Sequence, residues 1–403
     1  QILILMKNIV KIPVKFVAVC ARMLSITLAC LIPKEKKLWV FGGWYGQRIS
    51  DNPKYLLQYV NKYHAKNIRA VWIYKNANVK AEALKLGIEA YHYKSIKGIL
   101  IQLRAGLVLF THTIHTDLNS KCISWNTKRI QMWHGIPLKK IGFDDNFTAS
   151  KLKKSKLYRF TLNDINSYVL SSGNAVSKIF QSAFDESLGK MAETGFPRND
   201  VFFNKQHQKI SGKYNVLYMP TLRAGYGATF NLLDKRYDFQ FEEIDSFLKE
   251  HDITLTLRIH PANNPDAKMV ELIAASDSIK MSSSDDVYDE IGMYDCLITD
   301  YSSIMFDFAL SHKPIIFAAF DIKDYLRDDR GMYFNYEDIA SNNIAFSWQD
   351  VMFSLKENIN VREHQDYKFL LQFHDDQNLL GKEHYYSRKV YEFLIEKLNI
   401  HVS

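Results

Sequence analysis

The feature that most constrains this 403-residue chain is an alternation of short apolar runs with stretches of helical period, written twice. Leu38 to Phe41 reads as a buried strand closed by Gly42-Gly43. Ile68 to Tyr74, Leu107 to Phe110, Arg129 to Trp133 and Tyr168 to Ser171 continue the series, with helices predicted at Pro53 to Tyr63 and Val79 to Leu86. The pattern restarts after Gln206. Strands are predicted at Asn215 to Met219, Thr254 to Ile259, Cys296 to Thr299 and Pro314 to Phe317, and helices at Phe239 to Glu250, Asp285 to Gly292 and Ser302 to Leu310. Strands that alternate with helices imply parallel sheets built from βαβ units. Two such halves, joined near residues 204–213, predict twin Rossmann-like domains with a cleft between them.

Ligands of open parallel sheets bind beyond the carboxyl ends of the strands, so residues just after strands carry the functional reading. After Arg129 to Trp133 comes His134-Gly135-Ile136-Pro137-Leu138-Lys139-Lys140. A histidine there, beside a glycine that permits close approach, suits a general base, since imidazole titrates near neutrality. After Thr254 to Leu257 comes Arg258-Ile259-His260-Pro261, which reads either as a phosphate clamp or as an arginine–carboxylate pair with a capping histidine. After Cys296 to Thr299, Ser302 and Ser303 fall at the start of a predicted helix. They read as an anion site or as plain caps. Gly195 to Asp200 places Arg198 in a turn, and Tyr218 to Arg223 ends a strand with Pro220, Thr221 and Arg223. Basic and hydroxyl groups outnumber catalytic carboxylates, as a phosphate-bearing donor requires.

Composition narrows the partners. The net charge is +8, and such a field attracts nucleic acid, anionic lipid or phosphorylated substrates alike. No zinc-finger spacing, aromatic RNA-binding pattern or long arginine run supports nucleic acid. Cys20, Cys30, Cys122 and Cys296 are scattered without a C-x-x-C pair, which suits a reducing compartment and speaks against a disulfide framework or structural zinc. Thr111 to Asp117 holds two histidines and an aspartate, but in no specific metal-site spacing. No P-loop, G-x-S-x-G or D-x-D motif is present, and nothing calls for a metal or other cofactor.

The first 33 residues form a separate segment. Ile2 to Ile32 is largely apolar, interrupted by Lys7, Lys11, Lys15 and Arg22. Its charge-free runs fall short of the roughly 18 residues of a spanning helix. On a helical wheel the four cations share one sector, the pattern of an interfacial helix lying along an anionic membrane. Pro13 would kink that helix or start a shorter one. A signal peptide and a lipoprotein site at Thr27 to Cys30 are both opposed by Arg22. A helix packed on the protein itself is the remaining alternative.

The motifs, in this order, resemble those of the CDP-glycerol glycerophosphotransferases of teichoic-acid synthesis. The matching pieces are Trp133 to Lys139, Gly195 to Asp200, Pro220 to Arg223, Arg258 to Pro261 and Thr299 to Asp307. The resemblance implies a GT-B architecture, with a 34–205 acceptor domain and a 206–403 CDP-glycerol-binding domain whose final helix, Glu383 to Leu398, crosses back. It implies that His134 is the base, with His260 the other catalytic candidate. Arg258 and His260 would contact the donor phosphates, and Ser302, Ser303 and Asp307 would lie on the nucleotide side. Trp133, Gly135, Ile136, Pro137, Arg198, Pro220, Thr221, Arg223 and Ile259 complete the implied binding set. The implied partners are CDP-glycerol, a lipid-linked saccharide or polymer acceptor, and an anionic membrane at its cytoplasmic face. A ribitol-phosphate or capsule-polymer enzyme of the family is the alternative, and a GT-B glycosyltransferase using a nucleotide-sugar is the more distant one. The short N-terminal segment leans the reading towards addition of a single unit.

Overall fold

The computed structural model describes residues 19–146, 149, 165–203, 212–223, 232–260, 263, 265–328, 331–340, 344–359, 365–375 and 382–401. Within them, thirteen strands form two wholly parallel sheets. The first contains β1 (Glu35–Phe41), β2 (Arg69–Tyr74), β3 (Ala90–His92), β4 (Ala105–Phe110), β5 (Lys128–Gln131), β6 (Tyr168–Ser171) and β7 (Met191–Glu193), in the order β3-β2-β1-β4-β5-β6-β7. The second contains β8 (Tyr214–Tyr218), β9 (Ile253–Leu257), β10 (Ile279–Met281), β11 (Cys296–Thr299), β12 (Ile315–Ala318) and β13 (Ile344–Ala345), in the order β10-β9-β8-β11-β12-β13.

Both sheets run outward from a central first strand, which reverses the winding between β1 and β4 and between β8 and β11. Central strands are covered on both faces and therefore read as continuous apolar runs. Val40 pairs with Val71 on one side and Val108 on the other, and all three are buried. Leu38, Val40, Val71, Ile73 and Val108 anchor one core, while Val216, Leu255, Leu257 and Ile298 with Trp348 anchor the other.

The contacts divide the chain into two compact units. One holds the chain up to His134, the stretch ending at Arg198 and everything from His384 onward, and the other takes Gly135 to Phe147 and Asn199 to Glu383. The final helix, Tyr385–Leu398, packs in the first unit. Its Tyr391 stacks on His64 at 3.8 Å and 10°, and its Phe393 meets Tyr168 edge-on at 5.1 Å. Gly195 makes room for it, because a Cβ there would lie 2.0 Å from the Tyr386 ring.

Several elements differ from the sequence reading. β3, β7, β10 and β13 are two or three residues long and lie at or near sheet edges, too brief to leave a periodic signal. β5 stops at Gln131 because Trp133 turns to φ +53, and β9 stops at Leu257. Asp285 to Gly292 is not an α-helix but two 3-10 turns, Val287–Asp289 and Ile291–Met293. The Asp286 side chain accepts from the Tyr288 N–H, a local bond that competes with helix formation. The helix expected from Ser302 covers only Ile304–Phe308 before tightening into a 3-10 turn. The expected join near 204–213 lies almost wholly outside the described residues, as do Lys7, Lys11, Pro13, Lys15 and Pro261.

A helix over residues 19–30 packs against the first unit through Ile26 and Ala29, both essentially inaccessible. Arg22 does not point outward as the wheel suggested. Its Nη2 lies 2.9 and 2.8 Å from the two ring nitrogens of His115. Leu24, Leu28 and Leu31 are the segment's exposed large apolar side chains, beside exposed Cys20, Ala21 and Thr27. No helix among the described residues is long and apolar enough to cross a membrane.

Candidate functional site

Each sheet presents loops at the carboxyl ends of its two central strands, the place where a reversal of winding opens a crevice. In the first unit these loops carry Gly42 to Tyr45 after β1 and Thr111-His112 after β4, with Met132 to His134 after the neighbouring β5. In the second they carry Met219 to Thr221 after β8 and Asp300 to Ser303 after β11.

His134 sits in a frame of aromatic rings. The backbone turns through φ +53 at Trp133 and φ +119 at Gly135, a pair of left-handed steps that aims the intervening side chain away from the strand direction. Asn52 fixes that turn, donating through Nδ2 to the carbonyls of Met132 at 3.0 Å and Trp133 at 3.2 Å. The Trp133 N–H donates in turn to Gln131 Oε1. The His134 ring stacks on His112 at 4.8 Å and on Trp133 at 4.0 Å. Its Nδ1 is buried without a hydrogen-bond partner, although part of the residue reaches the surface.

Loss of hydration, with help from the nearby His112 ring and the Arg198 guanidinium, pulls the His134 pKa down to about 3. The imidazole is therefore neutral at physiological pH and able to accept a proton. Arg198, expected as a binding residue, is itself buried and pairs with Asp51 at 3.0 Å. The other Asp51 oxygen accepts from the Trp44 indole N–H at 3.1 Å. Asp51, Asn52 and Trp44 are the members of this frame that the sequence reading passed over, while His112 and Asp117 lie in the segment it set aside as a metal site. The Asp51-Asn52 pair directly before Pro53 was the available signal, a polar doublet at a helix start.

In the second unit a small pocket is lined by Pro220, Thr221, Arg223, Ile259 and His260, with Leu232 and Asn263. The fold thus brings five of the expected residues together. Thr221 Oγ1 is buried there without a partner, while its N–H donates to Asp300 at 2.8 Å. His260 is exposed. Nearby on β11's loop, Ser302 and Ser303 are half-buried, and no hydrogen bond uses either hydroxyl among the described residues.

Three expected ligand contacts are instead bonded to the protein. Arg223 is buried and spans Asp321 and Asp300, through Nε at 2.8 Å and Nη2 at 2.9 and 2.7 Å, with Nη1 donating to the Thr221 carbonyl. Its guanidinium also lies over Tyr301 and Tyr325. Arg258 does not point with His260, because the strand has already ended. It turns to Ser282 Oγ and the carbonyls of Ser284 and Asp285. Asp307 is wholly inaccessible and accepts from Asn199 Nδ2 and the Tyr288 hydroxyl. Gly135, Ile136 and Pro137 are buried at the start of the second unit, where the next residue, Leu138, accepts from the Tyr333 N–H. Among the described residues no cluster of three metal-ligating side chains occurs.

Comparison with known proteins follows the same lines. The chain is 31% identical over 329 residues to the teichoic acid poly(glycerol phosphate) polymerase of Staphylococcus epidermidis, covering 75% of this chain but only 43% of that protein. It is 28% identical to the teichoic acid glycerol-phosphate transferase of Staphylococcus aureus, covering 75% of this chain and 79% of the other. The solved structure of the wall teichoic acid polymerase TagF superposes with a TM-score of 0.70 at 25% identity, covering 96% of each chain. The CDP-Glycerol:Poly(glycerophosphate) glycerophosphotransferase family profile matches residues 24–395, and the chain belongs to that family.

Proposed function

We propose that this chain transfers glycerol phosphate from CDP-glycerol to a hydroxyl of a lipid-linked saccharide or a growing poly(glycerol phosphate). The acceptor O–H bond breaks, its proton passes to His134, and the oxygen bonds the glycerol-bearing phosphorus. The bond from that phosphorus to CMP breaks, and CMP leaves with the electron pair. The observation that carries this reading is the enclosed, neutral imidazole of His134 at a strand end, in a chain of this family. A pKa near 3 makes a weak base, and an anionic phosphoryl group brought beside it would raise that value. The remaining stabilisation comes from positioned donors, as in phosphoryl transfer generally.

Pro220, Thr221, Ile259 and His260 receive the donor in this reading, with the Ser302 and Ser303 hydroxyls supplying hydrogen bonds to its phosphates. Arg198, Arg223, Arg258 and Asp307 act as framework that holds those groups in place. The acceptor and the membrane belong together: an anionic bilayer at the cytoplasmic face attracts Lys7, Lys11 and Lys15, and the exposed Leu24, Leu28 and Leu31 add apolar contact.

The direct test is CMP release from CDP-glycerol and CDP-ribitol, with and without a lipid-linked disaccharide, followed by mass analysis. Acceptor-dependent release with one added glycerol phosphate supports a primase, and a ladder of products supports a polymerase. Release from CDP-ribitol alone changes the alditol, and release from neither donor sinks the proposal. His134→Ala should abolish turnover while leaving donor binding largely intact.

A further inference from the structure

The segment Thr111 to Asp117 has the histidines and carboxylate of a metal site and holds no such cluster, yet it is packed against His134. From that juxtaposition we infer that His112 is a positioning residue for His134, a second imidazole that fixes the ring plane and hydrogen-bonding state of the first. This rests on the transferase reading of His134 given above.

Three observations carry it. First, the two rings lie at 4.8 Å and 24°, and the same His112 ring packs on Tyr45 at 4.4 Å and edge-on to Trp44 at 5.5 Å. His134 thus stacks on a ring that is itself immobilised. Second, His112 has a defined hydrogen-bonding state. Asp117 is inaccessible to solvent, and its Oδ2 accepts from the N–H groups of Thr111 and His112 and from the Thr111 hydroxyl, at 2.9, 2.8 and 3.1 Å. Burial tends to raise the Asp117 pKa, but these bonds and His112 outweigh it and keep the carboxyl ionised. The Thr111 hydroxyl, 3.1 Å from Asp117 Oδ2, also lies 2.8 Å from His112 Nδ1, so the His112 ring is held by a hydrogen bond at that nitrogen.

Third, the Gln131 side chain ties the His112 loop to the turn that carries His134. The His112 carbonyl accepts from Gln131 Nε2 at 2.6 Å, and Gln131 Oε1 accepts from the Trp133 N–H. Rotation of the His112 loop would therefore disturb the turn that presents His134. The titratable groups facing His134 are His112 and Arg198, which disfavour its protonation, and Asp117, which favours it, with Asp51 holding Arg198.

The test compares His112→Ala, His112→Phe and His112→Gln in the full chain. His112→Ala should lower kcat about 100-fold, with KM for CDP-glycerol moving less than about 3-fold, the size expected when a reacting group loses its orientation. His112→Phe restores a planar ring and should recover about 10-fold of that loss. The His112 ring is one of the groups that lower the His134 pKa, so in His112→Phe and His112→Gln the acid limb of kcat/KM should move to higher pH. Independently of substrate, nitrogen-15 NMR of the histidines at pH 7.5 should show His134 in one tautomer in the wild type and in a mixture in His112→Ala. An unchanged tautomer and pH profile, or Phe no better than Ala with losses tracking the folded fraction, overturns the inference. A wild-type protein that releases no CMP would fail the transferase reading instead, and the NMR comparison would still decide the role of His112.

Discussion

At the scale of single residues, burial decides what each charged group does. His134 and Arg223 both follow strands in motifs of the same family, yet one is a neutral imidazole and the other a cation held by two carboxylates. For His134 the sign of the pH dependence follows from its depressed pKa of about 3 against roughly 6.5 in the unfolded chain. Below about pH 6.5 the unfolded state binds a proton that the native state refuses, so stability present above that pH is lost as pH falls towards 3. Urea midpoints at pH 7.5 and 5.0 should fall further for the wild type than for His134→Gln. For Arg223, burial works against the charge, but Asp300 and Asp321 more than offset it. Arg223→Leu would strand two buried carboxylates and should cost about 3–5 kcal/mol in urea unfolding. A donor-affinity loss without any stability loss would instead make Arg223 a ligand contact.

At the scale of elements, close packing sets the sharpest expectations. Gly195 has φ +77, and its absent Cβ is replaced by the Tyr386 ring of the final helix. Gly195→Ala combines backbone strain with a clash and should destabilise by about 2–4 kcal/mol. Limited proteolysis should then cut the final helix first, and unchanged protection would mean the helix docks without that contact. The helix over residues 19–30 offers a paired experiment. Ile26→Asp places a charge in a fully buried position and should lower stability, whereas Leu28→Asp on the exposed face should not. If the proposed membrane contact is real, Leu24→Asp combined with Leu28→Asp should reduce flotation with anionic vesicles.

At the scale of the whole molecule, two sheets that share the order of their first six strands give two separate cores and two sets of loops at central strand ends. If the proposed donor site lies in the second unit, CMP binding there stabilises by mass action, about 2.7 kcal/mol at a hundredfold excess over its Kd. The thermal shift with CMP should survive in His134→Ala and shrink in Thr221→Val, whose parent hydroxyl is buried without a protein partner. Loss of the shift in His134→Ala would place that residue on the donor.

The sequence by itself determined the two parallel sheets, since central strands must be continuously apolar, and it located the loops where His134, Thr221 and His260 lie. It also carried the family, because several short motifs in one order are far more specific than any one of them. Only the tertiary structure decided which cations serve the fold. Arg223, Arg258 and Arg22 each sit in segments that look available, and each is engaged by groups 24 to 98 residues away. Periodicity reports which face of an element is apolar, not which distant carboxylate or carbonyl meets a side chain. The His112–His134 stack is legible only once β4 and β5 lie side by side, because pairing across a parallel sheet joins residues that no local spacing relates.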